Sequence, residues 1–238
     1  MNKLGLIGGT GVESTIMYYR YLAYGVKEKL KKEFLPNLSI ESLSVFKVLN
    51  FCENKDYEGL TRYLLKGIEN LKACGCEYAT FTGITPHIVF EEVAKLSPLP
   101  LISIIEASKE HALKQGFKKI ALFATKPTMS GDFFQKPFER SGIEVLLPNE
   151  AEKEFIGRKI KDEIEHGIIK NSTKAEFIDI ANRLISAQNV NAIVLGCTEL
   201  PLLFNDVKLD VPFIDVMQVH IDELISIIMQ DKSLKIYS

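Results

Sequence analysis

Short apolar runs alternate with longer amphipathic stretches along almost the whole chain. The runs occupy residues 4–7, 38–43, 78–81, 101–104, 120–123, 145–147, 192–195 and 213–214, and they end in Gly, Asn, Thr or Pro. Between them, residues 13–32, 57–74, 86–96, 106–115, 128–141, 150–166, 173–187 and 216–229 carry apolar side chains at helical spacing. Strand followed by helix, repeated, predicts an α/β protein whose mostly parallel sheets are flanked by helices. Eight strands are enough to close a barrel, but 238 residues is a little short for one.

A local repeat favours a different division. Phe81-Thr82-Gly83-Ile84-Thr85-Pro86-His87 and Leu195-Gly196-Cys197-Thr198-Glu199 align on their glycines, and each leads from an apolar strand into an aliphatic-rich helix face. The expectation is two similar α/β halves with these turns facing each other across a cleft. The first domain would comprise residues 1–104 with 211–238, because the last helix is expected to pack back on it. The second would comprise residues 105–210.

Composition narrows the function. The chain is 46% hydrophobic and 25% charged, which suits a globular protein with a substantial core. Net charge is −2, and the one basic stretch, residues 27–32, is interrupted by Glu28, so nucleic acid is a poor partner. No apolar run reaches the length of a membrane span. The chain enters a strand pattern at once, without a charged leader and cleavage site, so a cytoplasmic protein is expected. Cys74-Gly75-Cys76 has the wrong spacing for a zinc or redox pair and reads as small residues at a helix end. The four histidines are scattered, so no metal site is expected.

Four turns remain as candidates for chemistry. Gly8-Gly9-Thr10-Gly11 precedes a helix, so its backbone N–H groups and the helix dipole suit a carboxylate, or serve only a tight turn. A dinucleotide fingerprint would need a glycine where Ser14 stands, with Glu41 on the ribose, and is a weak match. Thr82, Thr85 and His87 form the second turn; Thr85 either caps the helix or binds a ligand, and His87 either orients the turn or acts as a base. Thr125 and Thr128 form the third turn. The fourth holds Cys197, Thr198 and Glu199 just beyond a strand, the working edge of an α/β sheet. There the helix dipole lowers the thiol pKa, whereas an ionised Glu199 raises it.

These residues carry a family resemblance. Gly8-Gly9-Thr10-Gly11-Val12-Glu13-Ser14-Thr15 with Tyr18-Tyr19-Arg20 resembles the opening of the aspartate/glutamate racemase family. Thr85-Pro86-His87 resembles the end of its Cys-Asn-Thr-x-His stretch, and Gly196-Cys197-Thr198-Glu199-Leu200-Pro201-Leu202 is similar to its second cysteine motif. The resemblance runs from Leu4 to about Asp215. It implies two pseudo-symmetric α/β domains with the active site in the cleft between them, a homodimer, a small amino-acid or dicarboxylate substrate, and racemisation without a cofactor. Family chemistry uses two thiols, one removing the α-proton while the other delivers a proton from behind.

Cys197, Thr198 and Glu199 carry over directly, with Gly9, Thr10, Thr85 and Thr125 as carboxylate donors and Ser14 in support. The departure is at the first cysteine, which is Gly83 here, followed by Ile84 in place of asparagine. Some similar racemases have threonine at that position; the nearest hydroxyl here is Thr82. The expectation is an aspartate or glutamate racemase with Cys197 as one acid/base and Thr82, His87 or a held water on the other face. Arylmalonate decarboxylase-like relatives instead keep only the second cysteine, which makes a one-thiol lyase or isomerase the alternative, and a catalytically impaired binder a third. Lys47, Lys126 and Arg20 are candidates for a distal carboxylate.

Overall fold

All eight apolar runs form strands in the computed structural model, which describes residues 1–230. The first half contains β1 (Leu4–Gly8), α1 (Val12–Leu30), β2 (Leu38–Ser42), α2 (Val45–Glu53), α3 (Tyr57–Ala73), β3 (Tyr78–Phe81), a 3₁₀ turn (Thr85–Val89), α4 (Phe90–Leu96) and β4 (Leu101–Ile102). There follow α5 (Ile104–Lys114), β5 (Lys119–Ala124), α6 (Lys126–Ser130), α7 (Gln135–Arg140), β6 (Glu144–Leu146) and α8 (Glu150–Asp162). A second 3₁₀ turn (Ile164–His166), α9 (Asn171–Gln188), β7 (Ala192–Gly196), α10 (Leu200–Phe204), β8 (Phe213–Asp215) and α11 (Val216–Met229) complete the described chain.

The strands make two parallel four-stranded sheets, not a barrel, ordered β2-β1-β3-β4 and β6-β5-β7-β8. Every residue of β1 and β7 is buried, as expected for strands covered on both faces, whereas the edge strand β2 is only partly covered. Each sheet lays its second strand to one side of the first and its third to the other. In open parallel sheets, ligands bind at the carboxyl ends of the strands flanking such a reversal. The turns after β1 and β3 thus lie side by side in one sheet, and those after β5 and β7 in the other.

The chain divides into two units, one running from Met1 to Ile104 and resuming at His220, the other spanning Ile105–Val219. Residues 211–219, expected with the first domain, fall in the second. There β8 pairs with β7, matching Ile193 to Phe213 and Leu195 to Asp215, and the return to the first unit occurs inside α11.

The first unit's core is built on α3, whose Leu60, Leu64, Ile68 and Leu71 repeat at helical spacing and pack with Ile7, Ala79 and Phe81. Asp56 caps that helix, accepting from the Gly59 N–H at 2.8 Å. In the second unit Phe123, Phe177, Phe204 and Phe213 form an edge-to-face and tilted chain, with centroids 5.9, 6.1 and 4.8 Å apart in that order. Each buried phenylalanine is worth about 1.5–3 kcal/mol, so this chain anchors β5, α9, α10 and β8 together.

Three helical expectations change. The stretch 128–141 breaks into α6 and α7, because Pro137 fits only the first turn of a helix and Gln135 Nε2 donates to the Thr128 and Met129 carbonyls at the end of α6. The stretch 86–96 begins as a 3₁₀ turn, and 150–166 ends as one. Helix α2 was not expected: only Val48 is buried, while Phe46 and Leu49 are exposed, so its apolar pattern does not read as one helix face.

Candidate active site

In the first unit, backbone geometry dictates the Gly9 turn. Gly9 has φ +75°, and a Cβ there would lie 2.2 Å from the Leu43 carbonyl oxygen, so only glycine fits. Its N–H, expected to face a ligand, donates instead to Thr15 Oγ1 at 3.0 Å, and Thr15 in turn donates to the Gly11 carbonyl at 2.7 Å. Ser14 is buried and donates to the Thr82 carbonyl, tying α1 to the end of β3. The position where a dinucleotide fingerprint would need its third glycine is therefore a strand–helix staple. Glu41 accepts from Asn70 at 2.9 Å, which gives it a local partner.

Thr82, expected as a proton carrier, is fully buried. Its hydroxyl lies 3.0 Å from Thr15 Oγ1 and 3.4 Å from the Ile7 carbonyl, so it fixes the turn rather than facing outward. Gly83 follows without a side chain, and Ile84 is buried with its carbonyl accepting from the His87 N–H at 2.9 Å. Thr85 opens the 3₁₀ turn, so it starts a shorter element than the α-helix it was expected to cap.

His87 is 3% exposed, stacked on Phe90 with centroids 5.0 Å apart. Its Nδ1 lies 3.2 Å from the Ile84 carbonyl and so carries the proton. Nε2 is then a bare lone pair, shielded from solvent and without a hydrogen-bond partner among the described residues. Burial pushes the His87 pKa down to about 4, against which the Ile84 and Gly83 carbonyls pull only in part. The ring is neutral at pH 7.

The same unit holds a polar chain that sequence inspection missed. The Tyr18 hydroxyl lies 2.7 Å from His220 Nδ1, His220 Nε2 lies 3.1 Å from Thr80 Oγ1, and Thr80 donates to the Ile102 carbonyl at 2.7 Å. Since the Thr80 proton goes to Ile102, His220 donates through Nε2 and accepts from Tyr18 through Nδ1. Burial, with His87 nearby, lowers the His220 pKa to about 3. Nothing in the local sequence marks this chain, because Thr80 and His220 are 140 positions apart.

In the second unit, Thr125 and Thr128 pair hydroxyl to hydroxyl at 3.0 Å beyond β5. Lys126 is exposed and ion-paired with Glu154, and in the first unit Lys47 is exposed with its Nζ 5.5 Å from the Tyr63 ring centroid. Both cations thus have local partners. Arg20 is exposed on α1. Of the Cys74–Cys76 pair only Cys76 is buried, and Cys74 is exposed.

Cys197 stands one residue beyond β7 and is 7% exposed. Its Sγ donates to Glu199 Oε2 at 3.1 Å, and the Thr198 hydroxyl donates to the same oxygen at 2.7 Å. The second 3₁₀ turn packs against α10 and brings Glu165 toward this cluster. Burial first, then the Glu199 carboxylate, push the Cys197 pKa well above the usual thiol value, with Glu165 adding in the same direction. Of the two opposing influences read from sequence, the Glu199 carboxylate acts in the expected direction. Glu165 itself is pushed up by burial and by Glu199.

The resting group is therefore a protonated thiol hydrogen-bonded to the Glu199 carboxylate. Glu199→Gln is expected to lower the Cys197 pKa, and Glu165→Gln to lower it less. The pH midpoint of Cys197 alkylation by iodoacetamide, read by peptide mass spectrometry, checks both; an unmoved midpoint in Glu199→Gln contradicts the assignment.

No group of three or more His, Cys, Asp or Glu side chains among the described residues is placed to hold a metal ion. No helix among them is long and apolar enough to cross a membrane.

Two parallel sheets of identical strand order, each with a polar turn beyond the strands at its reversal, define a doubly built α/β protein. The chain belongs to the Asp/Glu/hydantoin racemase family, whose sequence model matches residues 7–224. A proposed Asp/Glu racemase from Yersinia pestis is similar in structure at TM-score 0.91 and 31% identity, over 97% of this chain and 100% of that one. An aspartate racemase homologue from Pyrococcus horikoshii OT3 is similar at TM-score 0.87 and 35% identity, again over 97% and 100%. The broad specificity amino-acid racemase RacX of Bacillus subtilis strain 168 is 21% identical over 224 residues, covering 89% of this chain and 92% of its own.

Proposed function

We propose that the protein is a cofactor-independent amino-acid racemase acting on aspartate, glutamate or both, with Cys197 carrying the proton on one face of the α-carbon. The observation that supports this most is the thiol itself, protonated, bonded to Glu199 and placed at the carboxyl end of β7. In the reaction the Cα–H bond breaks, its electron pair delocalises into the substrate carboxylate, and a new C–H bond forms on the opposite face. When Cys197 delivers the proton it becomes a thiolate; when it takes one it must first pass its own proton to Glu199. Hydroxyl and N–H donors stabilise the carbanion by holding the carboxylate, a role assigned to Thr10, Thr85 and Thr125, whereas the Thr198 hydroxyl, expected in that role, donates to Glu199.

The second face is assigned to the Gly83 turn, which has no thiol. With the Thr82 hydroxyl engaged, His87 Nε2 is the basic atom in that turn without a partner among the described residues. Its pKa of about 4 makes it a weak base, so this half-reaction is expected to limit the rate.

The same glycine favours a second reading, a one-thiol lyase that loses CO₂ from a malonate-like diacid and protonates the carbanion from Cys197 alone. Incubating L-aspartate, L-glutamate and an aryl-substituted malonate separately distinguishes the two. Chiral chromatography is expected to show the D-amino acid accumulating. CO₂ release without inversion of either amino acid supports the lyase and rejects the racemase.

A further inference from the structure

The place left by the absent first cysteine is filled. A Cβ built on Gly83 would lie 2.9 Å from Thr10 Oγ1, closer than real side-chain carbons approach, but 3.7 Å from Thr10 Cβ, which is ordinary contact. The obstacle is thus the hydroxyl and not the rest of Thr10. That hydroxyl is shielded from solvent and has no hydrogen-bond partner among the described residues. A buried unpaired hydroxyl is destabilising and calls for a partner. The neighbouring donors are otherwise used: Gly9 N–H and Ser14 Oγ both bond within the unit.

We infer that Thr10 and Gly83 work as one pair, in which the Thr10 hydroxyl occupies the ground of a residue-83 side chain and donates to a carboxylate oxygen of the bound amino acid. The pairing stands on the geometry alone, and the donor role rests on the racemase reading. Glycine at 83 is then a requirement of threonine at 10. A thiol restored at 83 fits only when the hydroxyl is removed.

Four proteins test this: wild type, Thr10→Ala, Gly83→Cys and the double variant. Gly83→Cys alone is expected to lower Tm by about 3–10 °C, the range for overpacking in a domain of this size. Thr10→Ala with Gly83→Cys is expected to recover most of that loss. Additive shifts, or no loss in Gly83→Cys, overturn the pairing. Calorimetric titration with L- and D-aspartate and L- and D-glutamate tests the donor role. Thr10→Ala is expected to weaken binding about 10- to 100-fold, as for one hydrogen bond to a charged group, with Thr10→Ser restoring it. Unchanged affinity in Thr10→Ala overturns the donor role. If wild type binds none of the four, the donor role falls together with the amino-acid reading, while the melting cycle still decides the pairing.

Discussion

Cys197→Ala is expected to reduce amino-acid turnover by about 10²- to 10⁴-fold, the usual contribution of a positioned acid or base. Cys197→Ser is expected to fall nearly as far, because a hydroxyl is a much weaker acid than a thiol and Glu199 cannot ionise it. Turnover is read by chiral chromatography from both enantiomers, and melting curves confirm that the variants fold. The loss should appear in kcat and kcat/KM together, since a proton carrier acts in the transition state more than in binding. An alanine variant with wild-type turnover removes Cys197 from the mechanism.

Stability is expected to fall steeply as the solution is acidified below pH 6.5. His87 and His220 are buried neutral, with pKa values lowered to about 4 and about 3. Between those values and the unfolded histidine pKa near 6.5, the unfolded chain binds more protons than the native one. Stability from these groups is therefore complete above about pH 6.5 and is lost as pH falls through the window toward the folded values. At pH 5 each histidine has given up about 2 kcal/mol, about 4 kcal/mol together. Asp215 and Glu165, whose carboxyls are pushed up by burial, act in the opposite sense. The difference in slope between wild type and His220→Gln isolates the histidine contribution. Urea midpoints from pH 7.5 to 4.5 measure it: the variant's stability should depend less on pH, and identical slopes contradict the buried neutral His220.

The sheets were legible because a parallel strand covered on both faces must be an apolar run, and Leu4–Gly8 and Ala192–Gly196 are buried throughout. The Cys197 turn was legible for the same reason, as a thiol placed where such a run stops. Hydrogen-bond direction was not legible. Thr82 and Thr10 are both threonines on glycine-rich turns, yet one hydroxyl is engaged with Thr15 and the other is unpaired. Which is which depends on Thr15, reaching across from α1. Glu165 was equally hidden on its 3₁₀ turn, and although the last helix was expected to return to the first unit, nothing in the sequence showed that His220 meets Tyr18 and Thr80 there. Helix α2 escaped because local pattern reports burial, and its Phe46 and Leu49 are exposed.

In the proposed mechanism Cys197 exchanges a proton with the α-carbon of an amino acid. Proton NMR of L-aspartate and L-glutamate in D₂O reads that exchange directly, whatever limits the overall inversion. With wild type, the α-proton signal of at least one of them is expected to disappear as deuterium enters, and to persist with Cys197→Ala. An α-proton that stays in place with wild type, or washes out equally fast without the thiol, contradicts the account.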